Sequence, residues 1–275
     1  MKLNMTTTGL VLPAPTYGLL NAGLAAGIRA WLLEGEPGTG KTSLGFALGR
    51  QAQTKGGGFL FAQANAWASD EQLIRGVNLA GFVLRDPDQV WEVGLLLRIA
   101  QEAAQANGPF IAIIDEWDKT RPVADGLLLA ALQEGVIVDA SGHRHGTVPL
   151  NVIWWITSNG VRALHDALTR RLFRVVLPPV TGNDLAGLLR QRTGCGKHLA
   201  ATVAALAQDA RRSSGQARRA TLPELERLTA VVLVSQDAAT CRAAIQGTFG
   251  AAKLGRRPRP GDDLWAARQR DGGAA

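Results

Sequence analysis

Eight consecutive residues near the start of the chain constrain its fold more than any other feature. They are Gly35, Glu36, Pro37, Gly38, Thr39, Gly40, Lys41 and Thr42. The run fits the pattern G-x-x-x-x-G-K-[ST], in which glycines let the backbone curl so that successive N–H groups point at one anion. An apolar segment, Ala30–Glu34, precedes it, and a segment of helical spacing follows from Lys41 to about Thr54. The run therefore predicts a phosphate-binding loop between a β-strand and the positive N-terminal end of an α-helix.

The residues that end this loop predict the kind of ligand. Lys41 would reach the β- and γ-phosphates of ATP, and the Thr42 hydroxyl would bind Mg²⁺. Ser43, in the first turn of the same helix, would join the nucleotide-binding residues. The competing interpretation is a glycine turn with a surface lysine, and the flanking strand and helix argue against it.

A second apolar run ends in two acids, Asp115 and Glu116. Residues 110–114 are apolar throughout, which is typical of a parallel strand covered on both faces. Beside a phosphate loop, Asp115 would hold Mg²⁺ and Glu116 would polarise the water that attacks the nucleotide. Apolar runs that end in acids are common, so a simple strand-end turn is the alternative.

A third apolar run ends at Asn159. In an open parallel sheet, ligands bind outside the carboxyl ends of the strands, so this amide would contact the γ-phosphate or position the water. The alternative is an ordinary Asn-Gly turn with Gly160.

Strand and helix patterns alternate up to Pro178-Pro179, which is typical of a parallel sheet with crossover helices. Besides Ala30–Glu34, the predicted strands are Gly58–Ala62, Phe110–Ile114, Val152–Thr157 and Phe173–Leu177. Helical spacing covers Asp88–Asn107 and Pro122–Glu134, and a hairpin is predicted over Gly135–Leu150.

The pattern then becomes helical, with segments at Asn183–Gln191, Leu199–Arg212, Pro223–Ser235 and Ala238–Gln246. From Lys253 the chain is rich in Gly, Pro, Arg and Asp, a composition that predicts no fixed structure. We therefore expect a doubly wound α/β domain over residues 1–178, a small all-α lid domain over 179–252 and a flexible basic tail over 253–275.

Several stretches together resemble the MoxR branch of the AAA+ ATPases, and also the dynein-related and chelatase-subunit ATPases. These stretches are Leu32–Thr42, Asp115–Lys119, Leu128–Gly135, Thr157–Asn159 and Asp166–Phe173. The resemblance runs from about Gly18 to Ala220. It implies Mg²⁺-dependent ATP hydrolysis in a homo-oligomeric, hexameric ring, with ATP bound between subunits.

The resemblance also implies roles for further residues. Asn159 matches the first sensor. Arg170 or Arg171 matches the arginine finger that completes a neighbouring subunit's site, and the spacing to Phe173 favours Arg171. Within residues 215–220, Arg218 or Arg219 matches the second sensor, and the alanine that follows favours Arg219. The family implies a chaperone-like motor whose partner is often a protein with a von Willebrand factor A-type domain.

Charge leaves another function open. The net charge is +7, and the whole excess lies C-terminal to residue 178. A basic lid and tail could bind DNA or RNA, which is the alternative function, or could simply be a solvated surface. A non-enzymatic scaffold that binds ATP is a third interpretation, against which Glu116 argues.

Two cysteines and no long apolar run predict a cytoplasmic protein without a membrane partner. The hairpin tip, with His143 and His145, is predicted as a plain turn or a substrate-contacting loop rather than a metal site, since His-x-His alone lacks further ligands. Trp117 and the pair Trp154-Trp155 are unusually bulky for their positions.

Overall fold

Five short apolar segments form one parallel sheet in the computed structural model, which describes residues 3–5, 12–64, 73–77, 91–139, 141–212, 220–249 and 260–272. The strands are β1 (Ala30–Glu34), β2 (Gly58–Gln63), β5 (Phe110–Asp115), β8 (Val152–Ser158) and β9 (Phe173–Val176). Their order across the sheet is β2-β5-β8-β1-β9. All four pairings are parallel, so the carboxyl ends of the five strands lie at one edge. The predicted α/β fold is confirmed.

Helices cover this sheet on both faces. They are α1 (Ala14–Ala25), α2 (Lys41–Gln53), α3 (Leu95–Gln105), α4 (Val123–Gln133) and the single turn α5 (Asp166–Thr169). Neighbouring residues of a strand point to opposite faces. Trp155 accordingly packs in a core with Leu44 and Leu48 of α2, whereas Trp154 packs in a second core with Leu128 of α4. Two bulky neighbours therefore fit because each one fills a separate core.

Two short antiparallel pairs accompany the main sheet. The first joins β3 (Arg75–Val77) to β4 (Trp91–Val93), and the second joins β6 (Val136–Val138) to β7 (Arg144–Thr147). The second pair is the predicted hairpin. The first corrects the helix predicted over Asp88–Asn107: residues 91–93 are a strand, and the helix begins only at Leu95. Residues 88–90 lie outside the described residues. Among the described residues, no helix has both the length and the hydropathy that a membrane crossing requires.

The contact pattern divides the chain into two compact units. One contains Met1–Glu36 and Gly40–Leu177, and the other contains Pro37–Thr39 and Pro178–Ala275. In the second unit, the helices are α6 (Gly182–Thr193), α7 (Lys197–Arg212), α8 (Leu222–Val234), α9 (Ala238–Phe249) and α10 (Pro260–Arg270). The predicted all-α character of this region is confirmed.

Helix α10 corrects the prediction of a flexible tail over 253–275. Leu264 and Ala267 are buried on one side of this helix, and Leu264 belongs to the core that α7 and α8 also form. Asp271 accepts hydrogen bonds from the backbone N–H groups of His198 and Leu199, at the start of α7. The high content of Gly, Pro and Arg led to the prediction of a flexible tail, but the apolar residues Leu264 and Ala267, three positions apart, suffice to pack one helix against the core. Residues 253–259 and 273–275 lie outside the described residues.

Candidate active site

The predicted phosphate loop connects β1 to α2. Residues Gly35, Glu36, Pro37, Gly38, Thr39 and Gly40 lie in the connection, and Lys41, Thr42 and Ser43 form the first turn of α2. Gly40 precedes the helix with φ 90°, a conformation that side chains with a Cβ rarely adopt. The loop therefore turns sharply into the helix, as a phosphate-binding loop requires.

Lys41 is buried, and its ammonium group lies over the loop. Its Nζ donates hydrogen bonds to the carbonyl oxygens of Gly35 (2.8 Å) and Glu36 (2.9 Å). Burial lowers the pKa of Lys41, and the nearby carboxylates of Asp115, Asp118 and Glu116 oppose that effect. The positive charge thus lies where the loop curls, close to the acidic strand end.

A tryptophan supports the first turn of α2 from the sheet below. The indole Nε1 of Trp155 donates a hydrogen bond to the carbonyl oxygen of Lys41 (3.0 Å). Helix α2 can lie this close because residue 45 is glycine: a Cβ there would be 2.7 Å from Cδ1 of Trp155. The bulky Trp155, which the sequence marked as unusual at this position, fits because Gly45 has no side chain to occupy the same space.

Asp115 ends β5 and joins the loop helix to the neighbouring strand. Its Oδ1 accepts hydrogen bonds from the hydroxyl groups of Thr42 (2.5 Å) and Thr157 (2.6 Å). The Thr157 hydroxyl in turn accepts one from the backbone N–H of Glu116 (2.9 Å). Thr157 was not predicted as a site residue, although it lies two residues before Asn159 at the end of β8.

The oxygen atoms of Thr42 and Asp115 are a suitable donor set for Mg²⁺. This ion prefers hydroxyl and carboxylate oxygens, and it is commonly held by one or two protein ligands together with phosphate oxygens and water. In the described part of the chain, no cluster of three or more His, Cys, Asp or Glu residues could hold a metal on its own. A magnesium ion shared with a bound nucleotide therefore fits the residues present.

Glu116 follows Asp115 in an uncommon backbone conformation. Within the described ranges it alone among the non-glycine residues has a positive φ, at 57°. Oε1 accepts a hydrogen bond from Nδ2 of Asn159 (2.7 Å). Oε2 accepts hydrogen bonds from Nε2 of Gln63 (2.9 Å) and Nζ of Lys119 (2.5 Å). The structure thus brings Glu116 and Asn159 together and adds two residues, Gln63 and Lys119, that the sequence did not reveal.

These contacts set the protonation of Glu116. Partial burial raises its pKa, but the hydrogen bonds from Lys119, Gln63 and Asn159 lower it by more, so that the net pKa lies below its ordinary value. The carboxylate is therefore ionised at neutral pH, the form in which it can accept a proton.

Asp118 fixes the backbone that carries Asn159. Its side chain is buried, and Oδ2 accepts hydrogen bonds from the backbone N–H groups of Asn159 (3.1 Å) and Val161 (2.7 Å). The turn after β8 therefore holds the Asn159 amide against Glu116. This turn contains Gly160, as the alternative interpretation of Asn159 expected. The Asn159 side chain nevertheless contacts the acidic site.

The predicted arginine finger lies at the other edge of the sheet. Arg170 and Arg171 follow α5 and come just before β9, whose first residue, Phe173, is level with Trp31 near the start of β1. Both arginines are exposed, and Nε of Arg171 donates a hydrogen bond to Oε1 of Gln133 (3.1 Å). At about 3.3 Å per strand residue, they lie too far from the carboxyl ends of the strands to touch a ligand there. Arg218 and Arg219 lie outside the described residues.

The tip of the β6–β7 hairpin is held by one carboxylate. Asp139 accepts hydrogen bonds from the hydroxyl and backbone N–H of Ser141, from the backbone N–H of His143, and contacts Nε2 of His145 (2.8 Å). The hydrogen bonds from Ser141 and His145 hold the pKa of Asp139 well below its usual range. Asp139 thus contacts both His143, in the turn, and His145, in β7.

Comparison with known proteins agrees with this arrangement. A family model for the AAA domain of the dynein-related subfamily matches residues 30–172, just over half of the chain. One solved structure with the same fold is that of NtrX from Brucella abortus, in complex with ADP, at a TM-score of 0.55 and 16% sequence identity. The similarity covers 96% of this chain but 61% of that one. No curated protein matches the sequence. The chain belongs to the AAA+ ATPases, of the dynein-related type.

Proposed function

We propose that the protein hydrolyses ATP in the presence of Mg²⁺, as a subunit of a MoxR-like oligomeric ring that remodels a protein partner. The observation that carries this proposal is the position of the Glu116 carboxylate, held by three side chains next to the Asp115–Thr42 pair. A protein that only stored nucleotide would not need an oriented base at this position.

Each residue has a chemical task in this proposal. The N–H groups of the loop and the Lys41 ammonium bind the phosphate charge. Thr42 and Asp115 would hold Mg²⁺, which would neutralise charge on the phosphates. Glu116 accepts a proton from the attacking water, and Asn159 fixes the carboxylate that does so.

The position of Arg170 and Arg171 supports a ring. Both lie at the edge of the sheet opposite Glu116, and they therefore cannot complete the site of their own subunit. In a ring of identical subunits, the same pair could reach the nucleotide of a neighbour and stabilise transition-state charge there. Six subunits are proposed from the resemblance to the family.

Two substitutions test the hydrolysis itself. Lys41→Ala should abolish nucleotide binding, measured with a fluorescent ADP analogue. Glu116→Gln should leave binding intact and lower the rate of ATP hydrolysis by roughly 10² to 10⁴-fold, because the base is lost. Glu102→Gln, which changes an exposed carboxylate of α3 in the same way, is the matched control and should keep the wild-type rate. Hydrolysis by Lys41→Ala at the wild-type rate would refute the proposal.

A protein partner is preferred over a nucleic acid because of the resemblance to the MoxR branch, and four described arginines of the helical unit have partners within that unit. The following pairs show this engagement: Arg192 with Glu226, Arg242 with Asp262, Arg211 with the Val180 carbonyl and Arg268 with the Ser235 carbonyl. The carboxylates of Glu226 and Asp262 offset the charge of two of these arginines, whereas the two carbonyl partners fix the direction of a guanidinium group without lowering its charge. A protein with a von Willebrand factor A-type domain is the proposed partner.

The two kinds of partner differ in how salt affects the ATPase rate. Stimulation by DNA or RNA that falls steeply between about 50 and 200 mM salt would favour the nucleic-acid function, since counterion release makes such binding salt-dependent. Absence of stimulation by either polymer, with stimulation by a von Willebrand-type partner protein, is the expected result.

A further inference from the structure

A partly buried ion pair lies between the turn behind Glu116 and the short helix that precedes Arg170 and Arg171. The pair is Arg162, which follows Asn159 by three residues, and Asp125 of α4. It is bidentate: Nη2 of Arg162 lies 2.7 Å from Oδ1 of Asp125, and Nη1 lies 2.9 Å from Oδ2. A bidentate contact fixes the direction of both side chains as well as their distance.

Every N–H of the Arg162 guanidinium is used. Nε donates to the carbonyl oxygen of Thr120 (2.8 Å), and the second N–H of Nη2 donates to the Thr120 hydroxyl (2.9 Å). The second N–H of Nη1 donates to the carbonyl oxygen of Ala163 (3.1 Å). Together with the two bonds to Asp125, these make five bonds from the five donors that an arginine has.

Asp125 is equally saturated. Its Oδ1 also accepts a hydrogen bond from Nε1 of Trp117 (2.8 Å), and its Oδ2 accepts one from the backbone N–H of His165 (2.8 Å). Trp117 is fully buried, and Asp125 is 1% exposed. The unusual tryptophan after Glu116 therefore contributes its indole N–H to a closed network. We call Trp117, Thr120, Asp125, Arg162 and His165 the Arg162 network.

The Arg162 network connects the catalytic turn with the arginine pair. Trp117 and Thr120 belong to the turn that begins at Glu116. His165 is the N-terminal cap of α5, and that helix ends directly before Arg170. The path from Glu116 to the arginines therefore runs through a few short segments that hydrogen bonds of Arg162 and Asp125 join.

Stability alone does not account for such a network. A buried ion pair gains little free energy over well-packed apolar residues of similar volume, because both charges lose their hydration. What a saturated pair supplies is a fixed geometry between the segments that it joins. Here those segments carry the two groups that would serve two different ATP sites.

We infer that Arg162 and Asp125 are positioning residues that hold Arg170 and Arg171 at a fixed orientation to the Glu116–Asn159 pair, so that a subunit's arginines reach its neighbour's site only while this network is intact. The inference rests on the proposed ring. The network acts in the subunit that donates the arginines.

Mixed rings test where the network acts. An acceptor subunit carries Arg170→Ala and Arg171→Ala with Glu116 intact. A donor subunit carries Glu116→Gln with both arginines intact. Neither should hydrolyse ATP alone, and mixing them should restore activity, because donor arginines complete acceptor sites.

Arg162→Lys is then added to one subunit at a time. Lysine keeps the charge but loses the bidentate contact. In the donor it should lower the restored activity by roughly tenfold or more, as misplaced catalytic groups do. In the acceptor it should change the activity far less, because Glu116 and Asn159 keep their direct bonds to each other and to Gln63, Lys119 and Asp118. Asp125→Asn, of nearly the same volume, should give the same asymmetry. Arg98→Lys in the donor changes an exposed, ion-paired arginine of α3 in the same way and should have no effect.

The outcomes separate the inference from the proposed function. Equal losses from donor and acceptor, a loss from the acceptor only, or no loss from either would overturn the inference, because a merely structural role does not depend on which subunit carries it. Donors that fail to fold are recognised by thermal unfolding and by binding of a fluorescent ADP analogue, and the milder Asp125→Asn then decides. If mixing a donor and an acceptor that both keep Arg162 and Asp125 restores no activity, the ring proposal is refuted and the inference with it.

Discussion

Replacing Gly45 with alanine should fail to stabilise the sheet unit, although alanine is the better helix former. Gly45 lies in α2, where its missing side chain lets the helix approach the sheet. An added Cβ would be 2.7 Å from Cδ1 of Trp155, 3.0 Å from its Nε1 and 3.1 Å from Cγ2 of Ile113. Carbon atoms in contact prefer about 3.5–4.0 Å, so the helix or the indole would have to move.

The indole has little room to retreat. It is fully buried, its Nε1 is bound to the Lys41 carbonyl, and the ring of Trp31 lies behind it at a centroid distance of 5.8 Å. Overpacking of this kind costs about 1–3 kcal/mol. The gain in helix propensity from glycine to alanine is about 1 kcal/mol, so the packing cost outweighs or cancels it.

A matched substitution isolates the packing cost. Gly126 lies in the exposed face of α4, and a Cβ there would meet nothing within 4 Å. Gly126→Ala should therefore raise the free energy of unfolding by about 1 kcal/mol through propensity alone. Both substitutions gain the same helix propensity. The difference between the free energies of unfolding of the two variants should therefore equal the packing cost at Gly45, about 1–3 kcal/mol.

Urea unfolding followed by tryptophan fluorescence measures this difference, because six of the seven tryptophans lie in the sheet unit. Midpoints are comparable only if the m-values of the variants agree. If Gly45→Ala stabilised the protein as much as Gly126→Ala does, the close approach of α2 to Trp155 would be refuted.

Further predictions concern single carboxylates and one hydroxyl. Thr157→Val should lower the ATPase rate and destabilise the sheet unit by about 1–3 kcal/mol, since the Glu116 N–H loses its acceptor and Asp115 loses a donor; an unchanged rate would contradict this. Asp271→Ala removes the side chain that accepts from the first amides of α7 and should cost the helical unit about 1 kcal/mol, measured by circular dichroism during thermal unfolding. Burial raises the pKa of Asp125, but hydrogen bonds from its arginine partner, a backbone amide and an indole lower it to below its ordinary value of about 4. The unfolded chain therefore binds a proton at Asp125 at a higher pH than the folded chain does. The stability that the Asp125 carboxylate contributes is complete above about pH 4 and is lost as the pH falls through its folded-state pKa. Urea titrations in acid should show this loss.

The features that the sequence predicted most accurately are those set by residues close together in the chain. The all-apolar run at Phe110–Ile114 and the loop before Lys41 are local patterns, and both the strands and the placing of Asp115 and Asn159 near that loop followed from parallel topology. Helix α1 was missed, because it is rich in alanine and glycine and buries only Leu20 and Gly23. Its apolar residues have no clear periodicity from which a helix can be predicted.

Residues that contact the site from distant segments could not be predicted. Gln63 lies 53 residues before Glu116 and ends the edge strand β2, so only the register of β2 against β5, which pairs Gln63 with Asp115, brings it to the carboxylate. The bonds from Trp117 to Asp125 and from Trp155 to Lys41 likewise need the folded chain. Bulky residues in unusual positions were the one signal for them, and in both cases the indole N–H explains the residue.

The contact between Asp271 and the start of α7 also affects how the protein is made. Synthesis proceeds from the N-terminus, and domains generally fold as their residues emerge. All five strands of the main sheet are complete once residue 176 has been added, so that sheet could form while translation continues. Helix α7 begins at Lys197, yet the carboxylate that binds its first amides arrives 72 residues after Leu199. On the ribosome, the first amides of α7 would therefore lack this acceptor until nearly a hundred residues after the last strand of the sheet has been added.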